Sequence, residues 1–202
     1  MERWRGALAE LGDAAAEVEW RYGAFELDPT IPAEGVDAVA YLEAKYDAAT
    51  VAEIHARLAS VAAAEGLPLR DMGAQAMRPN TFAAHRLLTA ALEFGPSVQQ
   101  ALADGLFRAY WAEGRDVGDR EVLADVAEAA GLPAARALEV LAGDGLVAEV
   151  RAEERRAQES GIHAVPTFVI DGRFAVSGAQ PPEALARAVR RALESAAGGG
   201  GR

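Results

Sequence analysis

Residues 161–182 read G-I-H-A-V-P-T-F-V-I-D-G-R-F-A-V-S-G-A-Q-P-P. This stretch limits the choice of fold more than any other. A proline is tolerated at the first residue of a strand, so Val165-Pro166 leads into T-F-V-I. Asp171-Gly172 supplies the two positive-φ positions of a tight hairpin turn, and F-A-V-S returns on the other side. Pro181-Pro182 then opens a helix with Leu185, Val189 and Leu193 on one face.

Before it the chain reads almost entirely as helix. Glu2 to Leu11 places Trp4, Leu8 and Leu11 on one face, and Gly12-Asp13 ends it. Residues 17–27 alternate Val18, Trp20 and Tyr22, are interrupted at Gly23, and resume with Phe25 and Leu27. That pattern predicts a strand with a bulge at the glycine. From Val36 to Ser160 only helices are expected. Thr50-x-x-Glu53 reads as a capping box for a helix running through Glu65. Asn80, Ser97 and Asp119 read as further caps, Gly114 and Gly131 as stops, and Pro133 as a first helical position. The order of elements predicts an α/β fold with a large all-helical insertion. The expected parts are 1–35, 36–160 and 161–197, followed by a flexible tail over 198–202.

The sequence contains no cysteine, which excludes disulfides, thiolate metal sites and thiol nucleophiles within these residues. A net charge of -11 argues against nucleic acid or an anionic membrane surface as partner. No apolar run is long enough to span a bilayer, and the charged start has no secretory h-region, so a cytoplasmic protein is expected. Basic residues are almost all arginine, with Lys45 the one lysine, and alanine is abundant, a usage that fits a high-GC bacterial genome.

His55, His85 and His163 have no mutual ligand spacing, and neither H-E-x-x-H, G-x-S-x-G nor a P-loop occurs, so no metal site is expected. His85 reads as a structural histidine inside a helix, whereas His163 lies close enough to Pro166 to line the same groove. Glu153-Glu154-Arg155-Arg156 reads as a solvated helix face. Trp20, Phe107, Tyr110 and Trp111 read as packing groups.

Four blocks, 18–29, 78–88, 107–123 and 161–182, agree in order and spacing with one family. The sequence resembles the thioredoxin-like fold of the DsbA family, in its cytoplasmic FrnE-like branch. The resemblance implies a cis peptide at Val165-Pro166, leaving the Val165 main chain to bond an extended substrate, with Val165, Pro166, Thr167 and His163 as substrate-binding residues. It implies thiol–disulfide exchange, no cofactor, and a peptide or small thiol as partner in that groove. It also implies a first strand and a C-P-x-C motif immediately before the helix that here begins at Glu2, so the first strand is expected to be missing. No residue of this chain is then expected to be catalytic. An exposed strand edge beside Phe168 or Ile170, with a homo-oligomer formed through it, would follow. Two further readings stand beside this one: a redox-inactive peptide-binding module, and glutathione-dependent isomerase or transferase chemistry of the related kappa-class branch. Against the last, Gly178 is followed by Ala179-Gln180, which leaves out the charged pair expected to anchor glutathione.

Overall fold

A computed structural model of the chain describes residues 2–72, 75 and 77–199. In chain order the elements are α1 (Glu2–Leu11), β1 (Val36–Asp37), α2 (Ala38–Glu43), α3 (Ala48–Ala64), β2 (Met77–Arg78), α4 (Phe82–Ala91), α5 (Pro96–Trp111), α6 (Arg120–Ala129), α7 (Ala134–Ala142), α8 (Val147–Glu159), β3 (Thr167–Ile170), β4 (Phe174–Ser177) and α9 (Pro182–Gly199). Short 3₁₀ turns follow α1 at Gly12–Glu17 and α4 at Leu92–Phe94. Internal contacts group the chain into two compact units, one formed by 1–20 with 157–202 and one by 21–156.

In the first unit α1 lies on α9. The apolar positions of α1 recur three and four residues apart, so Trp4, Ala7 and Leu11 share the face that meets Leu185, Ala186 and Val189. Leu185 is 1% exposed, and burial of such a side chain stabilises by about 1.5–3 kcal/mol. The helices approach closely at Gly6, where a Cβ would stand 3.0 Å from Pro182 Cγ. Strands β3 and β4 form an antiparallel hairpin with Thr167 opposite Ser177 and Ile170 opposite Phe174. Asp171 and Gly172 carry φ of 52° and 63°, the two left-handed positions that the Asp-Gly pair suits. Alternation turns Phe168, Ile170 and Val176 onto the α1/α9 core and leaves Val169 outward, 54% exposed. Phe168 and Ile170 are half-buried.

The second unit is helical around Leu87, Leu102, Leu123, Leu132 and Val140, drawn from α4 to α7 and their connections. Arg86 is buried beside this core and donates to the carbonyls of Gly145 (2.9 Å), Val140 and Gly143. The last carbonyls of α7 and of the turn after it thus receive the donors that the helix end itself lacks. Asp119 caps α6, accepting from the N–H groups of Glu121 (2.8 Å) and Val122 (3.1 Å).

Glu154, read as part of a solvated face, is only 7% exposed, and Phe107, read as a packing group, is exposed. Three expectations of secondary structure also need correction. Residues 18–27 form no hydrogen-bonded strand; the described strands pair only as β1 with β2 and β3 with β4. Nor is there a break in phase at Gly23. The buried row continues through Ala24 and Glu26, while Leu27 is 61% exposed. Side chains replace a neighbouring strand here. The buried Gln99 amide accepts from Tyr22 N–H (2.8 Å) and donates to Tyr22 C=O (3.0 Å), and Glu154 accepts from Glu26 N–H (3.3 Å). Second, 36–160 is not purely helical, because β1 and β2 pair within it, Val36 opposite Arg78. Third, α3 begins at Ala48 with Asp47 as its cap, accepting from Thr50 N–H (2.8 Å), so Thr50 lies inside the helix. Ser97 likewise lies inside α5, which starts at Pro96.

Candidate functional site

The loop before β3 is held by a few local bonds. Gly161, with φ of 77°, ends α8, and Ile162 N–H returns to the carbonyl of Ala157 (3.0 Å). The Val165–Pro166 peptide is cis. Thr167 Oγ1 donates to the Ala164 carbonyl (2.8 Å), spanning the two residues between them. Pro166 C=O accepts from Gly178 N–H (2.8 Å), which extends the β3–β4 ladder by one rung past Thr167.

That rung fixes which way the main chain points. In an antiparallel pair, residues alternate between those bonded to the partner strand and those whose N–H and C=O face the other edge. Pro166, Phe168 and Ile170 face β4. Thr167 and Val169 therefore present their main-chain groups on the opposite edge, where no described strand pairs with β3, and Val165 precedes them across the cis peptide. Neither the N–H nor the C=O of Val165 takes a partner among the described residues. Its side chain is 51% exposed.

Of the four residues expected to bind substrate, Val165 and Thr167 thus leave their main-chain groups unpaired by β4, while Pro166 between them is turned toward β4. His163 is exposed at the start of the same loop, and no hydrogen bond ties it to the other three. His85 is half-buried in α4, its ring Nδ1 inaccessible to solvent and without a hydrogen-bond partner, and loss of hydration holds its pKa below the ordinary value. That is a structural setting. His55 lines a cavity of about 400 Å³ between α3 and residues 67–72. No group of three or more His, Asp or Glu capable of holding a metal ion occurs among the described residues.

Sequence reasoning missed the floor beneath this loop. Trp4 stacks on Phe168 with centroids 5.5 Å apart and meets Trp20 edge-on at 6.0 Å. Arg3 donates to the Ala179 carbonyl, so the first turn of α1 also braces the segment after β4. The amphipathic spacing of α1 marks Trp4 as apolar, but only the packed hairpin shows which ring it meets.

The sequence matches the profile of the DsbA-like thioredoxin domain over residues 5–190. The chain belongs to that family. Among solved structures it is similar to a probable DsbA oxidoreductase of Streptomyces coelicolor, at 36% identity and a TM-score of 0.85, covering 95% of this chain and 82% of that one. Two more distant likenesses concern the fold alone. A candidate protein disulfide isomerase of Nitrosomonas europaea shares 19% identity, with a TM-score of 0.65 over 98% of this chain and 94% of that one. A 2-hydroxychromene-2-carboxylate isomerase shares 18%, with a TM-score of 0.55 over 98% and 90%. No curated protein matches the chain. The family fold is therefore present here with no cysteine among its 202 residues.

Proposed function

We propose that this DsbA-family protein is of the FrnE-like branch, works in the cytoplasm, and recognises an extended peptide or small thiol along the Val165–Thr167 edge. Thiol–disulfide exchange is the chemistry of the lineage. It needs a thiolate that attacks a disulfide sulfur and passes through a mixed disulfide. These 202 residues hold no thiol, so what they carry is recognition without electron transfer. No described helix is long and apolar enough to cross a membrane, which is compatible with the proposed location.

The observation behind this reading is the unpaired row of main-chain groups at 165, 167 and 169 beside the exposed Val165 and Val169 side chains. An extended peptide can add to such an edge by backbone bonds, with its alternate side chains setting preference. The glutathione-dependent reading gains no comparable support. After Gly178 the carbonyl of Ala179 accepts from Arg3, and the Gln180 amide donates to Ser177 C=O (3.0 Å).

The test is a titration of the ¹⁵N-labelled 202-residue chain with a blocked, cysteine-free, unstructured peptide. Saturating amide shifts are expected at Val165, Thr167 and Val169, and the same peptide N-methylated on alternate amides should lose them. Shifts centred elsewhere, or unchanged binding by the N-methylated peptide, would overturn the reading. In an insulin-reduction assay the pure chain should turn over no faster than the blank.

A further inference from the structure

The second unit holds a cluster that the peptide-edge reading does not use, gathered around Tyr41 in α2. Asp28 accepts from Thr30 N–H (3.1 Å) and Thr30 Oγ1 (2.5 Å), from the Tyr41 hydroxyl, and from Lys45 Nζ (3.0 Å). These bonds, with that from the Thr30 side chain the strongest, then those from Tyr41 and Lys45, hold its carboxyl well below the ordinary carboxylate range. A carboxylate offers about four acceptor positions, so Asp28 has none left. Lys45, the one lysine of the chain, stands 4.1 Å from the Tyr41 ring centroid and donates to its hydroxyl.

Arg78 shares the same ring, its Cζ 4.3 Å from the centroid. Its situation is different from that of other arginines in the same unit. Arg115, Arg136 and Arg151 each meet carboxylates, at 2.9 Å from Asp125, 2.6 Å from Glu93 and 2.8 Å from Glu154 respectively. Arg78 meets none among the described residues. It is half-buried, and its Nε is inaccessible to solvent and without a hydrogen-bond partner. Two cations and one fully engaged carboxylate share the patch. In a chain of net charge -11, a half-buried guanidinium with an unpartnered, inaccessible Nε and no acid beside it is a local excess of donors.

We infer that Arg78, with Lys45 beside it on the Tyr41 ring, forms a subsite for the oxyanion of a small ligand, a carboxylate or a phosphate group. The planar guanidinium can meet two oxygens of such a group at once, the lysine adds a point charge, and stacking on Tyr41 limits the freedom the arginine loses on binding. The subsite stands independently of the edge at Val165.

The experiment follows the side-chain Nε–Hε resonance of Arg78 in the ¹⁵N-labelled full chain, identified by its absence in R78Q. The probes are sodium phosphate and sodium acetate, each titrated at constant ionic strength against sodium chloride. A saturating shift with phosphate alone points to a phosphate-bearing ligand, and one with acetate alone to a carboxylate; either supports the subsite. R78K, which keeps the charge but loses the fork, should weaken the interaction by about tenfold or more, and K45Q should weaken it less. A shift that grows linearly and equals that in chloride overturns the inference, as does a shift in backbone amides 41, 45 and 78 that is unchanged in R78K. Circular dichroism checks that each variant is folded, and the wild-type titration decides the question by itself should a variant fail to fold.

Discussion

Trp4 gives the sharpest test of how the first unit is held together, because two substitutions at one position should differ in a way that area alone does not predict. The side chain is 5% exposed, stacked on Phe168 and edge-on to Trp20, and its indole Nε1 is buried without a hydrogen-bond partner among the described residues. Trp4→Ala removes the whole ring from between α9 and the hairpin. Large-to-alanine truncations of buried aromatics cost about 3–5 kcal/mol, and two aromatic pairs are lost here, so the upper half of that range is expected. Trp4→Phe also leaves a smaller void, at roughly 1–2 kcal/mol, but it deletes an unsatisfied donor whose desolvation costs about 1–3 kcal/mol. The two terms oppose, and W4F should lie within about 1 kcal/mol of wild type. Urea denaturation followed by circular dichroism reads both, provided the m-values agree. Equal losses for W4F and W4A would show that the indole N–H has a partner, and the account of this core would be wrong. W4A should also shift the Val165 and Thr167 amides, since Phe168 is the residue through which the ring supports that loop.

Two further outcomes follow from the second unit. Arg86→Met should destabilise by about 2–4 kcal/mol, because the carbonyls of Val140, Gly143 and Gly145 would lose a charged donor. No carboxylate makes an ion pair with Arg86 in the described contacts, and the more distant charges of Asp144 and Arg120 act on it with opposite sign. The difference in denaturation midpoint should therefore hardly change between low and high salt; a strong salt dependence would contradict the capping role. His85 is the pH-sensitive element. Its pKa is lowered in the folded state from the ordinary 6.5, so the unfolded chain takes up the proton first. Its contribution to stability is complete above pH 6.5 and is lost as the pH falls from there through the folded-state value. The stability difference between wild type and H85Q should therefore shrink on acidification through that window, with the His85 ring resonances titrating below 6.5; a midpoint at or above 6.5 would refute the burial argument.

What could be read from the sequence was what neighbouring residues decide among themselves. The turn at Asp171-Gly172 needs positive φ at two successive residues, and the strands on either side alternate, so the hairpin is legible within about a dozen positions. Helix α6 is legible for the same reason, with Asp119 accepting at one end and Gly131, at φ of 92°, closing the other. The absence of cysteine, and with it the absence of a thiol mechanism in these residues, needs no structure at all. Residues 18–27 have strand-like alternation, but a ladder needs a partner elsewhere. The Gln99 amide, 77 positions away, satisfies Tyr22 instead, and no local pattern announces that. The same holds for β1 with β2, two-residue strands that pair across some forty positions with too little sequence to give a period. At the candidate site the loop residues were legible, but the ring beneath them was not, because Trp4 and Phe168 meet only once α1 and the hairpin share a core. Arg78 and Lys45 are likewise ordinary surface cations in the sequence. Only the fold places both on one tyrosine while a single aspartate spends all its acceptors on other donors. Local conformation follows from nearest neighbours, whereas partners across the chain are chosen by packing, and function here rests mainly on the second kind of information.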